Sequence, residues 1–481
     1  MTMGQTLLEF VMATFLGVLF PVFLKYFLAW QLPRNAGTAL LTTLHDFRQA
    51  SSDSERQSLA MQCARHSFHL TFILSLSMAL ATLLFLMVYF ILDQQAFSVQ
   101  FMSATTIIGM ATWYLLERFK SGIAASTPGY GIFSRLLHHA VLDFKRVRKS
   151  TFNFSLQQLE SKATAVCSTA KSDVLVMGMA RSGTSLVLRL ISEDKTFNVL
   201  RYKDMPFVLA PVVWRKVSRF QQKPIISVER FHRDGLLNNS DSPEAFEEVY
   251  WETFRSENCV VDQFDNKPNV EALENFEKYK DIVRSIGNIK PSRYLSKNNN
   301  SLIRMDELAA NAHNIILIVY REPGSAAASM HRTHARFCDV FKNDKFAKSY
   351  FNWLAHFEFG PMHKPFHFAK LAMSPKFATS DLDYWLDYWC AVHQHILDRG
   401  PKNSLLLNYD RLCSRPQEYL EVLQKRLNAS FETVDLRKIA IRFPEQINPF
   451  NDKLLSRAKS IYAQLLNDPR NLHIPHEERL E

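Results

Sequence analysis

Asp173-Val-Leu-Val-Met-Gly178-Met-Ala-Arg181-Ser-Gly183-Thr-Ser185 decides how this chain of 481 residues is read. An apolar strand runs into a turn bounded by glycines, and the turn runs into the helical stretch 186–191. That order aims turn amides and a helix N-terminus at one place. The helix end carries about half a positive charge, so the place suits an anion. Gly178 and Gly183 have the spacing of the nucleotide-triphosphatase P-loop, but Thr184 stands where that motif needs lysine. The nearest cation is Arg181, inside the turn. A cradle without the triphosphate-clamping lysine points to a phosphate ester of another kind.

Residues 313–320 form a second short apolar run rich in β-branched side chains, which reads as a buried parallel strand. It ends at Arg321. A turn with a helix behind it then carries Ser329. The arginine sits at the strand end, and the helix can bring the serine back toward it.

This pair of motifs resembles the sulfotransferases that use 3′-phosphoadenosine 5′-phosphosulfate (PAPS). The resemblance implies that Arg181, Ser182, Gly183, Thr184 and Ser185 hold the 5′-phosphosulfate, and that Arg321 and Ser329 hold the 3′-phosphate. Many relatives have lysine where Arg181 stands; carbohydrate and bacterial members often have arginine. The implied fold is α/β, a doubly wound parallel sheet with the nucleotide at the strand C-termini. The resemblance covers residues 170–465, including a late strand in 404–412 and a helix over 416–427. Taken singly, each motif also reads blandly: a tight turn with a surface arginine, and a strand-end salt bridge with a helix serine.

The chain is basic, with a formal net charge of +10, which suits an anionic nucleotide or an anionic lipid surface. Nucleic acid is not an expected partner. The six cysteines have no metal or redox spacing. Much of the apolar excess lies in the first 117 positions. Residues 71–92 carry no charge. At 1.5 Å per residue they reach about 33 Å, enough to span a hydrocarbon core of about 30 Å. Residues 97–116 follow as the second arm of a helical hairpin, and residues 7–30 are a third candidate span, interrupted by Pro21 and Lys25. Arginines and lysines flank the hairpin (Arg34, Arg48, Arg56 and Arg65 before it, Arg118 and Lys120 after it), and its tip has none. The positive-inside rule then puts the enzyme in the cytoplasm, at a cell inner membrane. A basic connector over 118–165 contains an amphipathic helix at 132–142, which lies on the membrane surface or packs on the domain. The sulfotransferase domain is expected over 166–470, with a tail at 471–481.

Sulfuryl transfer, like phosphoryl transfer, needs mainly positioning and charge stabilisation. Arg181 is expected to neutralise the leaving phosphate bidentately. PAPS already carries an activated sulfate, so no metal is expected. The acceptor hydroxyl needs a base. Asp204 is the first candidate, with a helix cap as its structural alternative; His232 is the rival. Lys297 is a candidate second cation on the transferring sulfate. Residues 350–368 interleave aromatics with histidines, as an acceptor cleft or as a buried aromatic layer. His331 and His334 alone make no metal site. The expected activity is sulfuryl transfer from PAPS to a hydroxyl of a glycan, lipid or lipid-linked acceptor. A P-loop-type kinase or nucleotide triphosphatase, and a non-catalytic nucleotide-binding membrane scaffold, are the alternatives.

Overall fold

The chain divides into two compact units, Met1–Ala124 and Ala125–Glu481. A computed structural model describes residues 132–161, 172–218, 228–229, 237–255, 264, 268–287, 292–430 and 450–474, with five isolated positions in the first unit. The three apolar segments expected to span a membrane lie outside the described residues. Among the described residues, no helix is long and apolar enough to cross one.

The second unit opens with α1 (Ile132–Leu142) and α2 (Lys145–Glu160), then β1 (Asp173–Gly178), α3 (Thr184–Ile191) and β2 (Phe197–Asn198). A 3₁₀ turn at Tyr202–Asp204 leads to α4 (Pro211–Ser218), and β3 (Val228–Glu229) pairs antiparallel with β4 (Leu237–Asn238). Next come α5 (Glu248–Phe254), α6 (Val270–Arg284) and β5 (Arg293–Lys297). A second 3₁₀ turn, Asn299–Arg304, precedes α7 (Met305–Ala309), β6 (Asn314–Tyr320), α8 (Pro323–Asn343) and α9 (Lys345–Trp353). The chain ends on α10 (His367–Ala372), α11 (Leu382–Arg399), β7 (Leu405–Asn408), α12 (Tyr409–Ser414), α13 (Pro416–Leu427) and α14 (Asp452–Asn467).

Five strands form one parallel sheet in the order β2-β5-β1-β6-β7. Side chains alternate along each strand, so an unbroken apolar run needs apolar cover on both faces. Val174, Val176, Leu317 and Leu407 share one core with Val187 of α3 and Leu423 of α13. Leu175, Met177, Ile318 and Leu406 enter the other, with Tyr279 of α6, Ala327 of α8, Trp385 of α11 and Ile461 of α14. The chain leaves β1 toward β2 and β5, and later builds β6 and β7 on the opposite side. Strand order therefore reverses between β1 and β6, and open α/β sheets bind ligands in the crevice at such a point. The parallel α/β sheet expected from the sequence is the one observed.

Beneath the sheet, at the start of β1, Asp173 is buried against cations. Its carboxylate accepts from Lys280 Nζ at 3.0 Å and from the Tyr294 amide at 2.8 Å, and it pairs with Arg284. Lys280 has no exposed surface. Removing one member of such a buried pair leaves an uncompensated charge and costs about 3–5 kcal/mol.

The connector helix α1 packs on the domain, the second of its two expected settings. His138 and Leu142 are buried, and the His138 ring lies 5.9–6.2 Å from the rings of Phe346, Tyr350 and Trp353. Asp143, just beyond α1, accepts a 2.6 Å hydrogen bond from Trp353 Nε1.

Candidate phosphate-binding site

Four parallel strands deliver the candidate residues from their C-terminal ends. β1 leads into the loop with Arg181, and β5 ends on Lys297, paired in register with Val176. β6 leads to Arg321, and β7 leads to Tyr409, the first residue of α12.

The loop after β1 is a tight turn. Arg181 has φ 71° and Gly183 has φ 95°, both in the left-handed region. Glycine enters that region without penalty, whereas arginine there is strained and must be held by its surroundings. A Cβ on Gly183 would collide with the Tyr409 ring, and one on Gly178 would collide with the Val319 carbonyl of β6. Gly183 also caps α3 without a side chain. Leu186 and Val187 donate to the Gly183 carbonyl, whereas the amides of Thr184 and Ser185 have no acceptor among the described residues and suit an anion.

The two sequence motifs meet here. Arg181 Nε donates to Ser329 Oγ at 3.1 Å, across 148 positions. Thr184 Oγ1 donates to Asn299 Oδ1 at 3.2 Å, and Ser185 is half-buried in the first turn of α3. Ser182 departs from expectation. Its hydroxyl and its amide both donate to the Met179 carbonyl, so they close the turn rather than face a ligand.

Arg321 is held by its neighbours but not saturated. Its guanidinium lies 5.1 Å from the centre of the Tyr409 ring, and Nε lies 3.6 Å from Asp410 Oδ1. That Nε is buried with no hydrogen-bond partner among the described residues. Buried donors are seldom left unpaired, so the arrangement fits an added anionic oxygen. The start of α8 does not supply such a site. Glu322 already caps it, accepting from the Gly324 and Ser325 amides at 2.9 and 2.6 Å. Burial pushes the Asp410 carboxyl up from its ordinary range, while the Glu322 amide and Arg321 pull it back.

Beyond Lys297, three consecutive asparagines are buried. Asn298 Nδ2 donates to Glu248 Oε2 at 2.6 Å and to Glu247 Oε1 at 3.2 Å. Arg304, fully buried, pairs with Glu248 at 2.6 Å and lies over the Trp251 ring. Asn300 Nδ2 donates to the Ala355 carbonyl at 3.0 Å. Asn299 donates to Glu358 Oε1 at 3.2 Å while accepting from Thr184. The loop after β1 is thereby linked to the segment after α9. There, His356 feels Glu358 and Lys297, and burial lowers its pKa.

Asp204 is structural, not as the helix N-cap foreseen for it but as the third residue of the 3₁₀ turn whose N-cap is Arg201. It is fully buried, accepts from Arg215 at 2.5 and 2.7 Å, and closes a capping box with the Arg201 amide at 2.8 Å. Both oxygens are engaged and none of the side chain is exposed, which leaves no approach for an acceptor hydroxyl. His232 lies outside the described residues. Most of residues 350–368 form an aromatic layer: Phe351 packs on Phe337 and Phe341, and His363 on Trp385 and Tyr384. Among the described residues, no group of histidines, cysteines and carboxylates could hold a metal ion.

Asn299, Glu358 and Tyr409 are the members of the site that sequence reading missed. The only local signal was the asparagine triplet after a strand, polar residues where a turn would ordinarily reach solvent.

No protein-family model matches the chain, and no curated protein does. Solved structures similar to it are sulfotransferases. One from Mycobacterium avium is 12% identical with a TM-score of 0.37, over 71% of this chain and 87% of that one. One from Mycobacterium tuberculosis is 11% identical with a TM-score of 0.36, over 74% and 91%. One from Alicyclobacillus acidocaldarius is 12% identical with a TM-score of 0.30, over 62% and 94%. At these scores the likeness carries no part of the functional reading, which rests on the site.

Proposed function

We propose that this protein transfers the sulfuryl group of PAPS to a hydroxyl of a glycan, lipid or lipid-linked acceptor. The 3.1 Å hydrogen bond from Arg181 to Ser329 carries the reading. It joins the loop suited to the 5′-phosphosulfate to the segment suited to the 3′-phosphate, two places a doubly phosphorylated nucleoside must touch at once. The missing P-loop lysine speaks against a triphosphate, and the buried Nε of Arg321, without a hydrogen-bond partner among the described residues, speaks for a further phosphate oxygen. Arg181 and the α3 amides would stabilise the leaving phosphate, and Lys297 would act on the sulfate from β5. Radiolabelled sulfate should pass from PAPS into membrane or soluble cell extract, and Arg181→Ala should slow that transfer roughly a hundredfold. Undiminished transfer by the variant rejects this role for Arg181, and magnesium-dependent ATP hydrolysis by the wild type would favour the kinase or triphosphatase alternative.

The apolar segments of residues 1–117 motivate a membrane anchor with the enzyme in the cytoplasm. Reporters fused at residue 95 and at residue 481 should report opposite sides of the membrane. Reporters on the same side sink the hairpin topology.

A further inference from the structure

With Asp204 enclosed and His232 outside the described residues, the sulfotransferase reading has no base yet assigned among the described residues. The other carboxylates near the loop are similarly occupied. Glu247 accepts from Trp251, Tyr294, Asn298 and Ser301. Glu248 is paired with buried Arg304 and Asn298. Glu244 accepts from Tyr202 Oη at 2.8 Å and from the Ala245 amide at 2.9 Å.

Glu358 is different. It is half-buried, and only Oε1 is engaged, by Asn299; among the described residues, Oε2 accepts no hydrogen bond. One amide group separates it from Thr184 of the phosphate loop. Its segment is fixed rather than loose. Ala355 is fully buried with φ 47°, a left-handed conformation that a non-glycine residue adopts only under constraint, and Asn300 holds its carbonyl. Two asparagines of one turn thus bind one segment, and they present a carboxylate beside the place where the sulfate would lie.

Resting on the sulfotransferase reading, we propose that Glu358 is the base that accepts the proton of the acceptor hydroxyl. The acceptor oxygen forms its bond to sulfur as the sulfur–oxygen bond to the 5′-phosphate breaks. The bridging electron pair leaves with 3′-phosphoadenosine 5′-phosphate, and the hydroxyl proton passes to the Glu358 carboxylate. The groups that act electrostatically on neighbouring His356 are Glu358, Lys297, Glu244 and Glu248. Among the described residues His356 is the competing base, its imidazole kept neutral by burial.

The test uses the full chain, radiolabelled PAPS and cell extract, counting both transferred label and free sulfate. Calorimetry with 3′-phosphoadenosine 5′-phosphate runs alongside. Glu358→Ala should bind the nucleotide like wild type yet consume PAPS about a hundredfold more slowly, and added formate should restore at least about tenfold. A structural role gives no such rescue. An unchanged rate overturns the proposal, as does a loss that formate leaves untouched. Glu358→Gln keeps an oxygen for Asn299 and carries the rate comparison if the alanine variant does not fold. If His356→Gln is instead the slow variant, and imidazole rescues it, the base is His356 and the proposal fails. A wild type that binds no 3′-phosphoadenosine 5′-phosphate removes the sulfotransferase reading itself, and the base with it.

Discussion

Gly183 combines two demands that no other residue type meets. Its backbone turns through φ 95° to start α3, and its missing side chain lets the Tyr409 ring close over the loop. Alanine there would face a conformational cost of about 1–2 kcal/mol and a collision with the ring. Gly183→Ala should therefore weaken binding of 3′-phosphoadenosine 5′-phosphate at least about tenfold and lower the unfolding midpoint. Adding Tyr409→Ala removes the collision but not the backbone cost. The double variant should then bind more tightly than the sum of the single effects gives, which calorimetry on all four proteins measures. Strict additivity would show that the ring does not rest on the loop. Residues of this kind were legible because their chemistry is local: Gly178, Arg181, Gly183 and Thr184 lie within one turn. The link from Asn299 to Glu358 spans 59 positions and depends on how the segment after α9 folds back. No pattern within either segment announces the other.

At the scale of elements, legibility followed the strength of the period. β1 and β6 are continuous apolar runs with both faces covered, and each was placed to within a residue. The amphipathic helix α1 was placed to the residue, because Val141 and Leu142 enter the core and His138 lies against Phe346 and Trp353. β2, β3 and β4 have two residues each, too few to show any alternation. Asp204 illustrates a different failure. An acidic residue after a short strand suits a base and a cap equally, and what decides is Arg215, eleven positions away, which returns from α4 to clamp both oxygens. Ser182 failed similarly. A serine within a phosphate loop reads as a ligand until the turn directs its hydroxyl back onto Met179. At such turns the geometry, not the residue type, decides whether a polar side chain serves a ligand or the loop.

For the second unit as a whole, buried histidines set the response to acid. Burial pushes His138, His363 and His393 down to about 4, from 6.5 for a free imidazole. His138 and His393 are enclosed neutral and His363 is half-buried; His393 has no exposed surface and stacks on Trp389 with centroids 3.9 Å apart. A folded-state pKa below the unfolded one means that the unfolded chain binds the proton first. Their contribution is therefore complete above pH 6.5 and is lost as pH falls from about 6.5 to about 4, at up to about 1.4 kcal/mol per pH unit for each ring. Glu252, Asp281 and Asp410 act the other way, because burial raises their carboxyls and the folded state then favours the proton. The three histidine shifts, each from 6.5 to about 4, are large and should dominate in that window. A total of several kcal/mol is comparable with the whole net stability of a domain, about 5–15 kcal/mol. Denaturant unfolding followed from about pH 7 to about pH 4 should show stability falling throughout, and His393→Gln should flatten the slope by about one proton. A wild-type profile level down to about pH 5 would mean that these rings take up protons without unfolding the domain, and that water reaches the interior around them.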